Sequence, residues 1–170
     1  MSMSMYEASV PVFLHTLRSL RAILEKGLAH AEAKKFDPNV LAATRLYPDM
    51  LPLTRQVQIA SDAAKGAAAR LAGLEPPKFE DTETTLPELI ARVDKTIDYL
   101  KDFNARQIDG SEERTITIPT PRGSYSFSGI VFLRHWALPN FFFHVTTAYN
   151  LLRHNGVEIG KADYLGAIRS

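Results

Sequence analysis

Apolar residues near the start of the chain recur at alternating spacings of three and four, which is the periodicity of a buried helix face. The positions that follow this rule are Val10, Phe13, Leu17, Leu20, Leu24 and Leu28. After them, the dipeptide Asp37-Pro38 signals a helix start, which we assign to the short segment NVLAAT. The pattern therefore predicts one long amphipathic helix and, after a turn, one short helix.

A second long helix is predicted after the segment LYPDM, with Asp49 as its N-cap and Pro52 in its first turn. Because the helix carries several alanines on its apolar face and also contains Gly66, we expect a close approach to a neighbouring helix. That face consists of Met50, Leu53, Val57, Ala60, Ala64, Ala67 and Leu71. The segment AGLEPPKFEDTETT then breaks the periodicity and predicts a long connection.

Thr85 and Glu88 match a capping box at the start of a third long helix. The segments RTITIP and GSYSFS then alternate apolar and polar residues on either side of TPR, which predicts a β-hairpin. The fourth long helix runs from a cap at Ser128 to Asn155-Gly156, a left-handed stop signal. Four amphipathic helices with one hairpin before the last helix predict an all-α four-helix bundle.

The last predicted helix carries two apolar faces. His144 is at the centre of the first face, and Asn140 lies one turn earlier on the same side. The first face consists of Ile130, Leu133, Ala137, Phe141, His144, Ala148 and Leu151. The second face, on the opposite side, consists of Val131, Leu138, Phe142 and Tyr149. Because one bundle covers one face, the second predicts either a two-fold dimer interface or cover by the C-terminal tail or the hairpin.

Pro139 has no N–H to donate to the carbonyl of His135, so we expect the last helix to bend there. The bend would lie beside Asn140, where it could shape a pocket.

Composition excludes several classes of protein. The 170 residues are 45% hydrophobic and 23% charged, which is typical of a globular protein, and we expect a single domain spanning residues 1–170. A formal charge of +1 from 20 basic and 19 acidic residues spread along the chain gives no basic face for nucleic acid. The absence of cysteine excludes disulfides and thiolate zinc ligands. Without a signal-peptide pattern or an apolar run long enough for a membrane, we expect a cytoplasmic protein.

The candidate site is centred on His144, with Asn140 beside it and with Gln56 and Asp49 from the second helix near the core edge. Its first interpretation is a buried histidine paired with Asn140 or with an amide of the second helix. Its second interpretation is a small-molecule or water-filled pocket. A metal site for zinc, nickel or manganese needs three or four ligands, so we expect no cofactor. Three other basic residues are interpreted as solvent-facing rather than as an anion site: Arg55, Arg92 and Lys95.

Three segments resemble a bacterial family of unknown function in the DinB-like superfamily, and the resemblance runs nearly end to end. The segments are MYEASVPVF, YPDMLPLTRQVQIASDAAKGAAARLAG and LPNFFFHVTTAYNLLRHNGVEIGKADYLG. The resemblance implies an up-down-down-up four-helix bundle, commonly dimeric, in which the long connection crosses between parallel neighbours. Many DinB-like proteins bind a divalent metal through one histidine on helix two and two histidines, four residues apart, on helix four. Some members transfer thiols such as bacillithiol or mycothiol.

Carried over to this chain, the resemblance places His144 at the later histidine position of helix four. Asn140 then occupies the earlier position, and Gln56 or a neighbour replaces the histidine of helix two. One of three ligands therefore remains. We expect a homodimeric small-molecule-binding or scaffold protein with a degenerate metal cleft. The alternative is a DinB-like metal-dependent enzyme of the thiol S-transferase or hydrolase type, with His144 as ligand or general base.

Overall fold

The computed structural model describes residues 3–121 and 123–167, and these residues are mostly helical. The four long helices are α1 (Val10–Lys34), α3 (Leu53–Leu71), α4 (Leu86–Lys101) and α7 (Leu138–His154). The short helices are α2 (Asn39–Ala42), α5 (Ala105–Ile108), α6 (Gly129–Phe132) and α8 (Lys161–Leu165). An antiparallel hairpin of β1 (Thr115–Thr120) and β2 (Gly123–Ser128) precedes the last helices. The predicted helical fold with a small hairpin before its last helices is confirmed.

Two of the predicted helix-end signals act as expected. The hydroxyl oxygen of Thr85 accepts a hydrogen bond from the N–H of Glu88 at 3.3 Å, and the Glu88 carboxylate accepts one from the N–H of Thr85 at 3.0 Å. The start of α4 is therefore a complete capping box. At the other end of the chain, α7 stops at His154, and Gly156 takes a left-handed φ of 87° that a side chain would strain.

The start of α3 differs from the prediction. Asp49 is exposed and lies outside the helix, which begins at Leu53 after an extended Pro52. The N–H of Leu53 donates to the carbonyl of Thr44 at 3.0 Å. The predicted N-cap was wrong because the backbone of the preceding loop, rather than an aspartate side chain, satisfies the first N–H of the helix.

The core lies where the apolar faces of the four long helices meet. The helix α3 packs against α4 and α7, and α1 packs against the same two helices. Phe13 and Phe141 meet edge to face with ring centroids 5.0 Å apart. A Cβ at Gly27 would lie 3.2 Å from the Leu152 side chain, so α1 and α7 approach closely at that point. Each fully buried leucine or phenylalanine contributes about 1.5–3 kcal/mol, which makes this shared core the main source of stability.

The last long helix, predicted as continuous, is interrupted. A five-residue π-helical turn, Leu133–Ala137, separates α6 from α7, and the N–H of Leu138 donates to the carbonyl of Leu133 across it. Pro139 follows immediately, so its missing N–H falls where the α-helical bonding pattern is already broken. The turn inserts one extra residue, which rotates the faces of α6 relative to those of α7.

The second apolar face does not lie opposite the core. Leu138, Phe142 and Tyr149 are partly buried and pack against it, because each lies three residues before a buried residue of α7. Tyr149 meets Tyr164 of the C-terminal tail at 6.0 Å between ring centroids. The tail therefore covers part of this face. Val131, by contrast, is 40% exposed.

The outward side of α7 carries Pro139 and Phe143, and the phenylalanine is 57% exposed. Within the described ranges, none of the helices has the length and apolar character needed to cross a membrane.

Candidate functional site

His144 lies on the side of α7 that faces α3, and its residue surface is only 9% exposed. Its Nδ1 is 2.7 Å from Oε1 of Gln56, one turn into α3. Both residues belong to the buried faces of their helices, so the packing of α3 on α7 brings them together. The pair is a buried polar contact inside an otherwise apolar interface.

The amide of Gln56 sets the tautomer of His144. Nε2 of Gln56 donates to the carbonyl oxygen of Leu51 at 3.0 Å, which leaves Oε1 as the acceptor that faces the imidazole. An acceptor at that position requires the proton on Nδ1 of His144. The other ring nitrogen, Nε2, then carries a lone pair, and it forms no hydrogen bond with any residue that the structure describes.

Burial lowers the pKa of His144 below its ordinary value of 6.5. The imidazole is therefore neutral at pH 7, and its Nε2 is an acceptor rather than a donor. The ring of Phe143 stands perpendicular to the imidazole at 5.1 Å between centroids. A molecule that reaches His144 from solvent thus meets one hydrogen-bond acceptor beside an exposed aromatic ring.

Asn140 and Asp49 are not joined to this pair by hydrogen bonds. Asn140 lies one turn before His144 and is half-buried, and within residues 3–121 and 123–167 its side chain has no hydrogen-bond partner. Asp49 is exposed on the loop before α3. The role of the Leu51 carbonyl could not be predicted from the sequence, because a backbone acceptor in a loop has no signature in residue type.

The donor set does not fit the three-ligand metal site that the resemblance implies. Nε2 of His144 offers one lone pair, while the amide oxygen and nitrogen of Gln56 are both engaged in hydrogen bonds. In the described part of the chain, no three side chains of histidine, cysteine, aspartate or glutamate are grouped so that they could hold an ion. A neutral imidazole at this position can accept a hydrogen bond or a proton through Nε2, or provide one ligand of a metal site.

A family model with the description "Domain of unknown function (DUF1993)" matches residues 5–165. The chain belongs to the DUF1993 family. A crystal structure of a DinB family member protein from Shewanella denitrificans is 45% identical, covers 97% of this chain and 93% of its own, and superposes with a TM-score of 0.89. No curated protein matches the chain. The resemblance to a DinB-like family of unknown function is thereby confirmed.

One cluster of this DUF1993 chain was missed from the sequence. Arg92 is 3% exposed, so its interpretation as a solvent-facing residue was wrong. Its guanidinium contacts carboxylates of Asp62, Asp81 and Glu83 at 2.9, 3.3 and 3.0 Å. The acidic residues of the connection before α4 could have indicated a partner for it, but their position depends on how that connection folds back. Lys95 is exposed, as expected.

Proposed function

We propose that this DUF1993 protein binds a small molecule at the His144–Gln56 pair, without a metal ion. The observation that carries the proposal is the hydrogen-bond chain from the Leu51 carbonyl through Gln56 to Nδ1 of His144. This chain holds the imidazole in one tautomer and leaves Nε2 as a fixed acceptor within a buried interface. A fixed polar group in apolar surroundings is typical of small-molecule sites.

The ligand in this proposal is one that donates a hydrogen bond. A neutral Nε2 accepts from a hydroxyl, an amine or an amide N–H, whereas a carboxylate or phosphate offers it no proton. The side-chain amide of Asn140, one turn away on the same helix, supplies a further donor and acceptor. The exposed ring of Phe143 supplies an apolar contact.

Native mass spectrometry tests this proposal directly. Untagged protein is incubated with a small-molecule extract of bacterial cells, freed of excess extract, and weighed under native and denaturing conditions. We expect the wild type to carry a small-molecule adduct that His144→Ala loses. His135→Ala, which removes an exposed histidine two turns earlier, is the control that should keep it. The proposal is contradicted if the wild type carries no adduct, or if both variants keep the adduct.

We further infer an up-down-down-up order for the four long helices. In its support, Phe13 contacts Phe141 and Gly27 faces Leu152, which is the pattern of parallel α1 and α7. Contacts of Gln58 with Glu83 and of Asp62 with Arg92 favour parallel α3 and α4. The N–H of Tyr6, before α1, donates to Asp109, after α4, which favours antiparallel α1 and α4.

The protein is, in this proposal, a homodimer that pairs through the outward side of its last helices. Support comes from two large apolar side chains there, Val131 at 40% and Phe143 at 57% exposure. Leu138, Phe142 and Tyr149 flank this side and would contribute their remaining exposed surface. A two-fold axis would place the same residues of both copies against each other.

A further inference from the structure

The connection between α3 and α4, residues 74–85, lies on the bundle without contributing to its core. None of its residues is fully buried; each is half-buried or exposed. It crosses the surface of α3 and α4 and leads into the capping box at Thr85. Its attachment must therefore come from something other than the burial of aliphatic side chains.

Arg92 of α4 is the main anchor of this connection. Its side chain is 1% exposed and contacts carboxylates of Asp81 and Glu83 from the connection, at 3.3 and 3.0 Å. It also donates to the backbone carbonyl of Glu80 at 3.0 Å. On the other side, Asp62 of α3 lies 2.9 Å away. One guanidinium thus joins the connection to both helices beneath it.

Two residues of α3 hold the same carboxylates from the other direction. Arg55 donates to Asp81 at 2.5 Å, and the side-chain amide of Gln58 donates to Glu83 at 2.9 Å. Burial alone would raise the pKa of Asp81, but hydrogen bonds and charge from Arg55 and Arg92 outweigh burial and lower it. Asp81 is therefore fully ionised at neutral pH.

The aromatic ring of Phe79 is held by contacts with cationic side chains. Nζ of Lys65 and Nζ of Lys95 lie 4.1 and 4.0 Å from its centroid, and the Arg92 guanidinium carbon lies 5.3 Å away. These are cation–π distances. The largest apolar side chain of the connection thus rests on three cations and, at 6.4 Å between centroids, on the edge of Tyr99.

We propose that residues 75–83, which lie between the end of α3 and the capping box of α4, form a charge-held strap that detaches from both helices as a local unit while the helical core stays folded. Its contacts are mainly ion pairs, hydrogen bonds and cation–π contacts, with one aromatic contact to Tyr99. The helices below it are joined by fully buried apolar faces, so the strap opens at lower free energy than the core. Opening uncovers a basic strip of α3 and α4, in which Lys65 and Arg92 keep Asp62 as a partner.

Trypsin cleavage after Lys78 reports on this opening, because Lys78 is an exposed site within the strap and a protease needs an extended segment around the bond it cuts. We expect Arg92→Met to accelerate this cleavage by about tenfold, and Arg55→Met, whose ion pair is partly exposed, by about two- to fivefold, with unchanged helical circular dichroism. The matched control is Arg21→Met, which breaks a comparably exposed ion pair between α1 and α4 that does not touch the strap. None of these changes alters the sequence around Lys78.

The proposal fails if both strap variants are cut at the wild-type rate, or if Arg21→Met accelerates cleavage equally. It also fails if cuts within α3 and α4 accelerate together with the cut at Lys78, because the strap would then open only with the core. If Arg92→Met does not fold, Arg55→Met decides the question, since its side chain is 41% exposed and outside the core.

Discussion

A chain of two directed hydrogen bonds determines what His144 can do. The Leu51 carbonyl orients the Gln56 amide, and the amide in turn fixes the proton on the imidazole. Helical spacing was enough to place His144 and Gln56 on core faces of their helices. It could not predict the hydrogen bond to the Leu51 carbonyl. It also could not show that the Asn140 amide, although on the same side of α7, has no hydrogen-bond partner among the described residues.

Replacing Gln56 with leucine removes the acceptor for a buried N–H. We expect Gln56→Leu to lower the free energy of unfolding by about 1–3 kcal/mol, since Nδ1 of His144 is left without a partner. Asn140→Ala should change it by less than about 0.5 kcal/mol. Urea unfolding followed by circular dichroism measures both free energies. Equal decreases in the two variants would show that the His144–Gln56 hydrogen bond does not stabilise the fold more than the Asn140 side chain does.

The stability should depend on pH through His144. Its pKa is lowered in the folded state, so the unfolded chain binds more protons once the pH falls toward and below 6.5. The free energy of unfolding must therefore fall as the pH drops through this range. We expect the Tm of the wild type to fall more between neutral and mildly acidic pH than that of His144→Gln, which keeps the other histidines. Parallel curves for the two proteins would refute the assignment.

Periodicity predicted the helices and the hairpin because each buries one face, and burial imposes a spacing on the sequence. The prediction was wrong at two places, where backbone hydrogen bonds rather than side-chain burial determine the structure. The first N–H of α3 is satisfied by the Thr44 carbonyl rather than by an N-cap side chain, and the π-helical turn before Pro139 adds a residue that no spacing rule anticipates. The second apolar face was misplaced because Leu138, Phe142 and Tyr149 lie on the flank of the buried face of α7 rather than opposite it, where Tyr164 of the tail covers Tyr149.

At Gly129, the first turn of α6 lies in close contact with the segment before β1. A Cβ there would lie 1.9 Å from the backbone oxygen of Ser111, which cannot rotate away. We expect Gly129→Ala to destabilise the protein by at least about 2 kcal/mol. Gly160→Ala is the matched control, since no described atom lies within 4 Å of its Cβ, and it should cost less than about 1 kcal/mol. Thermal unfolding of both variants measures the difference.

On the scale of the whole molecule, surface charge and exposed apolar residues are arranged in ways that the sequence alone does not reveal. Arg92 looked like a surface residue because its burial requires residues 74–85 to fold back over α4. Likewise, Phe143 rather than Phe142 is the outward ring of α7, a distinction that depends on which neighbours α7 has. Such features follow from the packing of segments far apart in the chain.

The proposed dimer predicts a mass of two chains by light scattering coupled to size-exclusion chromatography. Phe143→Ser should shift the protein toward the monomer, because it removes the most exposed apolar side chain of the last helix. Tyr47→Ser is the control, since Tyr47 is also largely exposed but lies on the loop before α3. A monomeric wild type at micromolar concentration would rule out the dimer.

Metal analysis of the untagged protein tests whether His144 serves a binding site without a metal ion. The protein is incubated in turn with zinc, nickel and manganese, freed of excess metal, and analysed by plasma mass spectrometry alongside His144→Ala. We expect substoichiometric metal that is the same in both proteins, because the Gln56 amide is engaged in hydrogen bonds and one lone pair of His144 remains. One metal per chain in the wild type, lost in His144→Ala, would contradict it and favour a DinB-like metal-dependent enzyme.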